Sequence, residues 1–335
     1  MENKIIINML SQADSVPGQG VGSAFIEQVA LVKESPLLDV SVNSRQKSDI
    51  IHVHSLNLRY YFRLKKKTPT VVYCHLLPET LDGSIKLPKL IFAIFKKYVV
   101  KFYARADWLV VVNPIFIEPL AKYGVRKDHI VYIPNYVDQK DFHILQHKEE
   151  LKKKYHVSGF VVLGVGQVQT RKGVLDFLET AARLPHIQFL WAGGFSFKGI
   201  TDGYKELKEA MEHAPNNVKF LGIIPRAQMN EIYNVADVMF LPSFNELFPM
   251  SILETMQLDM PFLLRDLELY EPLFNGRYLK GHDVADFVTL IEKLATDKDF
   301  YQEAVNHSRF NKEFYNKASI LKMWEEFYIR VTKQK

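Results

Sequence analysis

The sequence predicts an α/β protein made of two doubly wound, Rossmann-like domains, each a parallel sheet covered by helices. Three observations lead there. The chain has 335 residues, enough for two domains of ordinary size. Apolar runs of four to six residues alternate with helical patterns along its length. Such runs are the signature of strands buried on both faces of a parallel sheet. Two glycine-rich segments, SVPGQGVGSAF and GVGQVQTRKG, each follow one of these runs, as the first βα turn of a doubly wound domain does.

In chain order, KIIINML, DIIHVH, TVVYCHL, DWLVVVN and HIVYIP read as strands of the first domain. FVVLGVG, IQFLWAG, VKFLG and DVMFLP read as strands of the second. The polar stretch from Gln139 to Tyr155 is taken as the linker, giving a first domain over 1–150 and a second over 151–310. Asn311 to Val331 is a helical pattern with aromatics on one face, in a C-terminal segment 311–335. No internal repeat or low-complexity tract is present.

Apolar residues make up 47% and charged residues 24%, as in a globular protein. A single cysteine, Cys74, excludes a disulfide framework and a multi-cysteine metal site. The N-terminal apolar run is short and lacks a cleavage-site pattern, so it reads as a strand and not as a signal peptide. No apolar run reaches the roughly 18–20 residues of a spanning helix. A cytoplasmic location is the expectation. The net charge of +5 is concentrated between residues 55 and 105, where 11 basic residues face two acidic ones, Glu79 and Asp82. That asymmetry points to an anionic partner for the first domain.

The chemistry concentrates in PSFNELFPMSILETM, Pro242 to Met256. An apolar strand precedes it and a helical pattern follows, with Pro249 suited to the first helical position. The free N–H groups around Met250 and Ser251 then form a positive end ready for a diphosphate. Glu254, one turn in, would face the ribose of such a nucleotide, and Glu246, before the helix, the sugar. Phe248 lies between the two carboxylates. In GVGQVQTRKG, Gly166 lets the backbone approach a phosphate, and Arg171 and Lys172 would neutralise charge on the leaving diphosphate. No convincing metal site appears. The only D-x-D, Asp297 to Asp299, lies in a charged helical tail.

Glu246 and Glu254, with PGQGVGS, DIIHVHS, VVYCHLLPE, ADWLVVVN, IPNYVD, GVGQVQTRKG, WAGG and VKFLGIIP in that order, resemble the retaining nucleotide-sugar glycosyltransferases of family 4. The resemblance covers nearly the whole chain and implies the GT-B fold, with a C-terminal helix crossing back to the first domain. It implies a UDP-sugar donor, no cofactor and no bound metal. His75 matches the histidine beside the donor sugar, Gly20 and Gly22 the N-terminal loop, and Ile223 and Ile224 the segment that meets the nucleobase. Glu246 would hold sugar hydroxyls and Glu254 ribose hydroxyls. Gln167 stands where the family often has arginine, Val21 separates glycines that are often adjacent, and Tyr136 and Asp259 replace usual glycines. By itself, the first glycine-rich loop is also compatible with dinucleotide binding, with Asp39 as ribose partner. His52 and His54, in DIIHVHS, are alternatives for the role of His75; they share one face of their strand, and structural roles are favoured for them.

Lys86 to Arg105 has helical spacing, with Ile91, Ile94, Phe95, Tyr98, Val99 and Phe102 on one face and Lys89, Lys96, Lys97 and Lys101 towards the other. Such a helix can lie in a bilayer interface or pack its apolar face on the first sheet. Arg59, Arg63, Lys65, Lys66 and Lys67 extend the basic surface towards lipid phosphates. The opening NMLSQADSVPGQGVGSAFIEQV is similar to bacterial enzymes that extend a glucosyl-diacylglycerol with galactose or glucose, making the anchor glycolipid of lipoteichoic acid. The expectation is therefore a retaining hexosyltransferase using a UDP-sugar and a glycolipid acceptor, peripheral on the inner face of the cell membrane. The alternatives are a polysaccharide or lipid-linked oligosaccharide transferase, or a non-catalytic sugar-nucleotide-binding protein. No nucleic-acid-binding motif accompanies the basic segment. The sequence leaves UDP-glucose against UDP-galactose, and the oligomeric state, open.

Overall fold

The computed structural model describes residues 4–12, 20–64, 67–77, 88–195 and 202–334. Most of the first glycine-rich loop, up to Gln19, lies outside these residues, as do Lys65 and Lys66. The chain divides into two units. Of the described residues, those up to 136 and those from 315 onward form one unit, and those between 137 and 314 form the other. The division falls between Tyr136 and Val137, ahead of the expected residue 150.

The first unit holds a six-stranded sheet of β1 (Ile5–Leu10), β2 (Leu38–Val42), β3 (Ile50–Val53), β4 (Thr70–Cys74), β5 (Trp108–Val111) and β6 (Ile130–Tyr132), in the order β2-β1-β3-β4-β5-β6. All pairings are parallel. β4 and β5 are buried at every residue, which is why they read as continuous apolar runs. β2 was not singled out in the sequence. It is an edge strand with only Leu38 fully buried, so its composition carries no such run. The helix Lys317–Lys333 belongs to this unit. Its Ile320, Trp324, Phe327, Tyr328 and Val331 are buried, and Tyr328 reaches His52 Nδ1 at 2.8 Å. The helical pattern read from Asn311 is broken after Phe314, and Asn316 caps the new helix by accepting from Ser319 N.

The second unit holds β7 (Val161–Val165), β8 (Gln188–Ala192), β9 (Val218–Gly222), β10 (Val238–Leu241), β11 (Phe262–Arg265) and β12 (Leu279–Gly281), ordered β12-β11-β10-β7-β8-β9 and all parallel. β11 and β12 were not read from the sequence. β12 is a three-residue edge strand, and β11 follows the helix Met250–Gln257 after only the four residues from Leu258 to Pro261. The stretch read as a linker is part of this unit. Lys148 and Lys152 both bond Asp237, and Asn234 accepts from Leu145 N at 2.7 Å and donates to the His143 carbonyl at 2.9 Å. These polar side chains have dedicated partners, which composition alone does not reveal. The D-x-D also has a local role: Asp297 accepts from Asp299 N and Phe300 N and caps the helix Lys298–Phe314.

Candidate active site

In the second sheet the strand order reverses between β7 and β10, which pair through Val162 with Val238 and Leu163 with Met239. Ligands of doubly wound sheets bind beyond the carboxyl ends of the strands at such a switch point. The two loops that leave these strands carry the glycine-rich segment and the paired glutamates.

β7 runs into Gly166, at φ 151°, and then into a 3-10 turn over Thr170–Lys172. Gly173 follows at φ 68° and opens the helix Val174–Arg183. A β-carbon on Gly173 would stand 2.2 Å from the carbonyl oxygen of Pro242, so only glycine lets the two loops close on each other here. Phe244 N donates to the Arg171 carbonyl at 2.8 Å, and Arg265 Nε donates to the Pro242 carbonyl at 3.1 Å.

This lock brings Lys172 and Glu246 together as an ion pair, with 9% and 7% of their side chains exposed. Arg171 Nη1 donates to the Asn245 carbonyl at 3.0 Å and lies 3.4 Å from Glu246 Oε2. Its Nε donates to Gln169 Oε1 at 3.0 Å, and Gln169 Nε2 donates to Gln167 Oε1 at 2.7 Å. Gln167 thus belongs to the chain of bonds that orients Arg171. Burial works against charge on Glu246, but Lys172 and then Arg171 outweigh it and hold its carboxyl below the ordinary range. Tyr270 is buried nearby, and its hydroxyl has no partner among the described residues. Burial and the Glu246 charge push its pKa well above that of an ordinary tyrosine.

The helix after this loop spans Met250–Gln257, one residue later than expected. Pro249 is extended, at φ −64° and ψ 132°, and precedes the first helical residue. No side chain caps this helix and no acidic residue stands in its first turn, so the N–H groups at Met250 and Ser251 keep their positive end. Phe248 is buried against Phe274, with ring centroids 6.0 Å apart, and anchors the loop in the core. Glu254 is buried one turn into the helix. Arg226 Nη1 donates to its Oε1 at 2.9 Å, and the Tyr233 hydroxyl donates to its Oε2 at 2.5 Å. Each oxygen keeps a lone pair for a further hydroxyl. Ile223, exposed, and Ile224, partly buried, follow β9.

In the first unit, His75 follows β4 and is partly exposed, and His54 Nδ1 lies 3.2 Å from its Nε2. His52 and His54 are buried, with rings 4.3 Å apart. Gly20 and Gly22 lie in the first turn of the helix Gly20–Lys33. Arg59 and Lys67 are exposed and Arg63 partly so. In the helix Lys89–Ala104, Val99, Phe102 and Tyr103 are buried, whereas Leu90, Ile91 and Ile94 are 74%, 52% and 60% exposed. Lys89, Lys97 and Lys101 are exposed, and Lys96 lies over the Phe92 ring at 4.6 Å. The helix therefore packs by its C-terminal half and presents apolar and basic side chains from its N-terminal half.

Sequence reasoning missed Arg226, Tyr233 and Tyr270. Arg226 and Tyr233 are one heptad apart on the helix Arg226–Val235, hence on one face, which was a readable signal. Nothing local marks Tyr270. Among the described residues no group of three or more His, Cys, Asp or Glu side chains could hold a metal ion.

Residues 146–310 match the family described as Glycosyl transferases group 1, and residues 37–141 match Glycosyltransferase Family 4. The alpha-galactosylglucosyldiacylglycerol synthase of Streptococcus pneumoniae is 40% identical over 340 residues, covering 98% of this chain and 90% of the relative. The chain belongs to glycosyltransferase family 4. This glycosyltransferase is also 26% identical to the processive diacylglycerol alpha-glucosyltransferase of Acholeplasma laidlawii, over 82% of the chain and 83% of that protein. Its fold is GT-B. Sucrose-phosphate synthase of Thermosynechococcus elongatus matches with a TM-score of 0.81 at 14% identity, over 99% of this chain and 100% of that one. Anabaena HepE, solved with UDP-glucose, matches at 0.75 and 15% identity, over 96% and 99%.

Proposed function

We propose that this glycosyltransferase moves galactose or glucose from a UDP-sugar to glucosyl-diacylglycerol, with retention, to give a diglycosyl-diacylglycerol. The observation that carries the reading is the near full-length identity of 40% to an alpha-galactosylglucosyldiacylglycerol synthase. The site is consistent with it. The uncapped start of the helix Met250–Gln257 suits the diphosphate, and Glu254, held at both oxygens, suits the ribose hydroxyls. Arg171 and Lys172 stand beside Glu246 and supply positive charge where the leaving UDP gains negative charge. Glu246 binds sugar hydroxyls, and His75 hydrogen-bonds the sugar. The acceptor hydroxyl attacks the face that UDP leaves, with the departing phosphate taking its proton. No metal or cofactor is required in this scheme.

A peripheral position on the inner face of the membrane is part of the proposal. Leu90, Ile91 and Ile94 are exposed beside Lys89 and Lys97, the arrangement of a helix lying in a lipid interface. Among the described residues no helix is long and apolar enough to cross a membrane.

The test is UDP release by the purified protein with glucosyl-diacylglycerol in anionic mixed micelles, with UDP-glucose and UDP-galactose run in parallel. Lipid-dependent release with one sugar supports the reading and names the donor. Release that ignores the glycolipid but responds to a polysaccharide or lipid-linked oligosaccharide overturns the acceptor. Sedimentation with anionic liposomes should be lost when Lys96, Lys97 and Lys101 become Glu.

A further inference from the structure

β3 and β4 end side by side and bring two imidazoles into hydrogen-bond contact, His54 Nδ1 to His75 Nε2 at 3.2 Å. Both rings are neutral at physiological pH. Burial lowers His75 to about 3, and burial together with His52 and His75 lowers His54 well below the ordinary value. Two neutral imidazoles at this distance share one proton, so one ring donates and the other accepts.

The remaining nitrogens decide which. His54 is 4% exposed, and its Nε2 is buried without a partner among the described residues. Phe25, His52 and Tyr73 surround the ring at centroid distances of 4.8, 4.3 and 5.4 Å. A proton on His54 Nε2 would be an orphaned buried N–H, which folded proteins almost never tolerate. An orphaned acceptor lone pair is less unusual. The proton of His54 therefore sits on Nδ1 and is donated to His75 Nε2. A neutral imidazole has one N–H, so that of His75 sits on Nδ1. His75 is partly exposed and makes no other hydrogen bond among the described residues.

We propose that His54 is a positioning residue that fixes His75 in the Nδ1–H form, so that His75 presents a hydrogen-bond donor, and not an acceptor, to an oxygen of the sugar substrate. The substrate half of this statement rests on the role given to His75 above. The tautomer half does not. Free imidazole side chains in water favour the proton on Nε2, so without His54 the preference of His75 reverses, and the nitrogen facing the substrate becomes an acceptor.

The test is the long-range proton–nitrogen spectrum of the protein labelled with nitrogen-15 histidine, the His75 signals being those lost in His75→Gln. Wild type should show His75 with a protonated Nδ1 and a bare Nε2. His54→Leu should move the proton to Nε2 and lower kcat/KM about tenfold, the size of one hydrogen bond. His54→Asn, whose amide can still donate, should restore both. A wild-type His75 protonated on Nε2, or a His75 tautomer unchanged in His54→Leu, overturns the proposal. If His54→Leu does not fold, the wild-type spectrum alone decides. Full turnover in His75→Ala would instead remove the catalytic role of His75 and leave the spectroscopic result standing, so the two failures are distinguishable.

Discussion

Lys172 and Glu246, 74 positions apart in the chain, form a buried ion pair that ties the loop after β7 to the loop after β10. Burial works against the charge of both, so each depends on the other; Arg171 further favours the Glu246 carboxylate but, as a like charge, opposes the Lys172 ammonium.

Glu246→Ala should therefore abolish UDP release and also lower stability by about 3–5 kcal/mol, because it leaves Lys172 buried and unpaired. The double variant Glu246→Leu with Lys172→Met should recover most of the stability and none of the turnover. Urea denaturation and UDP release read the two effects separately. A double variant that turns over normally would mean that the pair only holds the loops together.

Acid should destabilise the protein in two windows. Glu246 has a folded pKa below its unfolded value of 4.5, so its stabilisation is complete above that value and is lost as the pH falls through the lower folded one. His52 and His75 each go from 6.5 when unfolded to about 3 when folded, because burial excludes the charged ring. Between those values the unfolded chain binds protons that the folded chain refuses, so stability falls as pH drops from about 6.5 towards about 3. Urea midpoints should decline across that window, and His52→Phe should flatten the decline.

Gly173→Ala should cost more than a surface substitution, on the order of 1–3 kcal/mol from the left-handed backbone alone. Steric conflict adds to this, since the new β-carbon would lie 2.2 Å from the Pro242 oxygen. Thermal melting should show the loss, and a raised KM for the donor should accompany it as the two loops part. A variant with wild-type melting would contradict the close approach.

Tyr233→Phe removes one of the two hydrogen bonds that hold Glu254. A buried carboxylate oxygen left short of a donor costs about 1–3 kcal/mol, and the freed carboxylate loses its fixed orientation. Calorimetry should show UDP binding weakened several-fold. Unchanged affinity would detach Glu254 from the nucleotide.

Much of the fold was legible because strands buried on both faces leave unbroken apolar runs. β4, β5, β7 and β10 stand out in the sequence for that reason. β2 and β12 did not, since an edge strand has one open side and its residues need not be apolar. The boundary at 150 was misplaced because Lys148, Lys152 and Asn234 look like solvated polar residues until Asp237, Leu145 and His143 are seen as their partners. In the site, the glutamates, the glycine-rich loop and Arg171 and Lys172 were readable from spacing. Nothing local marks Tyr270, and the shared helix face of Arg226 and Tyr233, though legible, names no partner until Glu254 of another helix is seen beside it.

By itself the sequence determined the two-domain α/β architecture, the family, and which loops carry the glycine-rich segment and the paired glutamates. Hydrophobic periodicity and local motif spacing are properties of neighbouring residues, so they are written in the chain. Only the tertiary structure decided that Lys172 neutralises Glu246, that both oxygens of Glu254 are held, and that His54 meets His75. Charge state and tautomer depend on burial and on partners tens of residues away, and parallel crossovers bring those partners together in space without leaving any spacing between them to read.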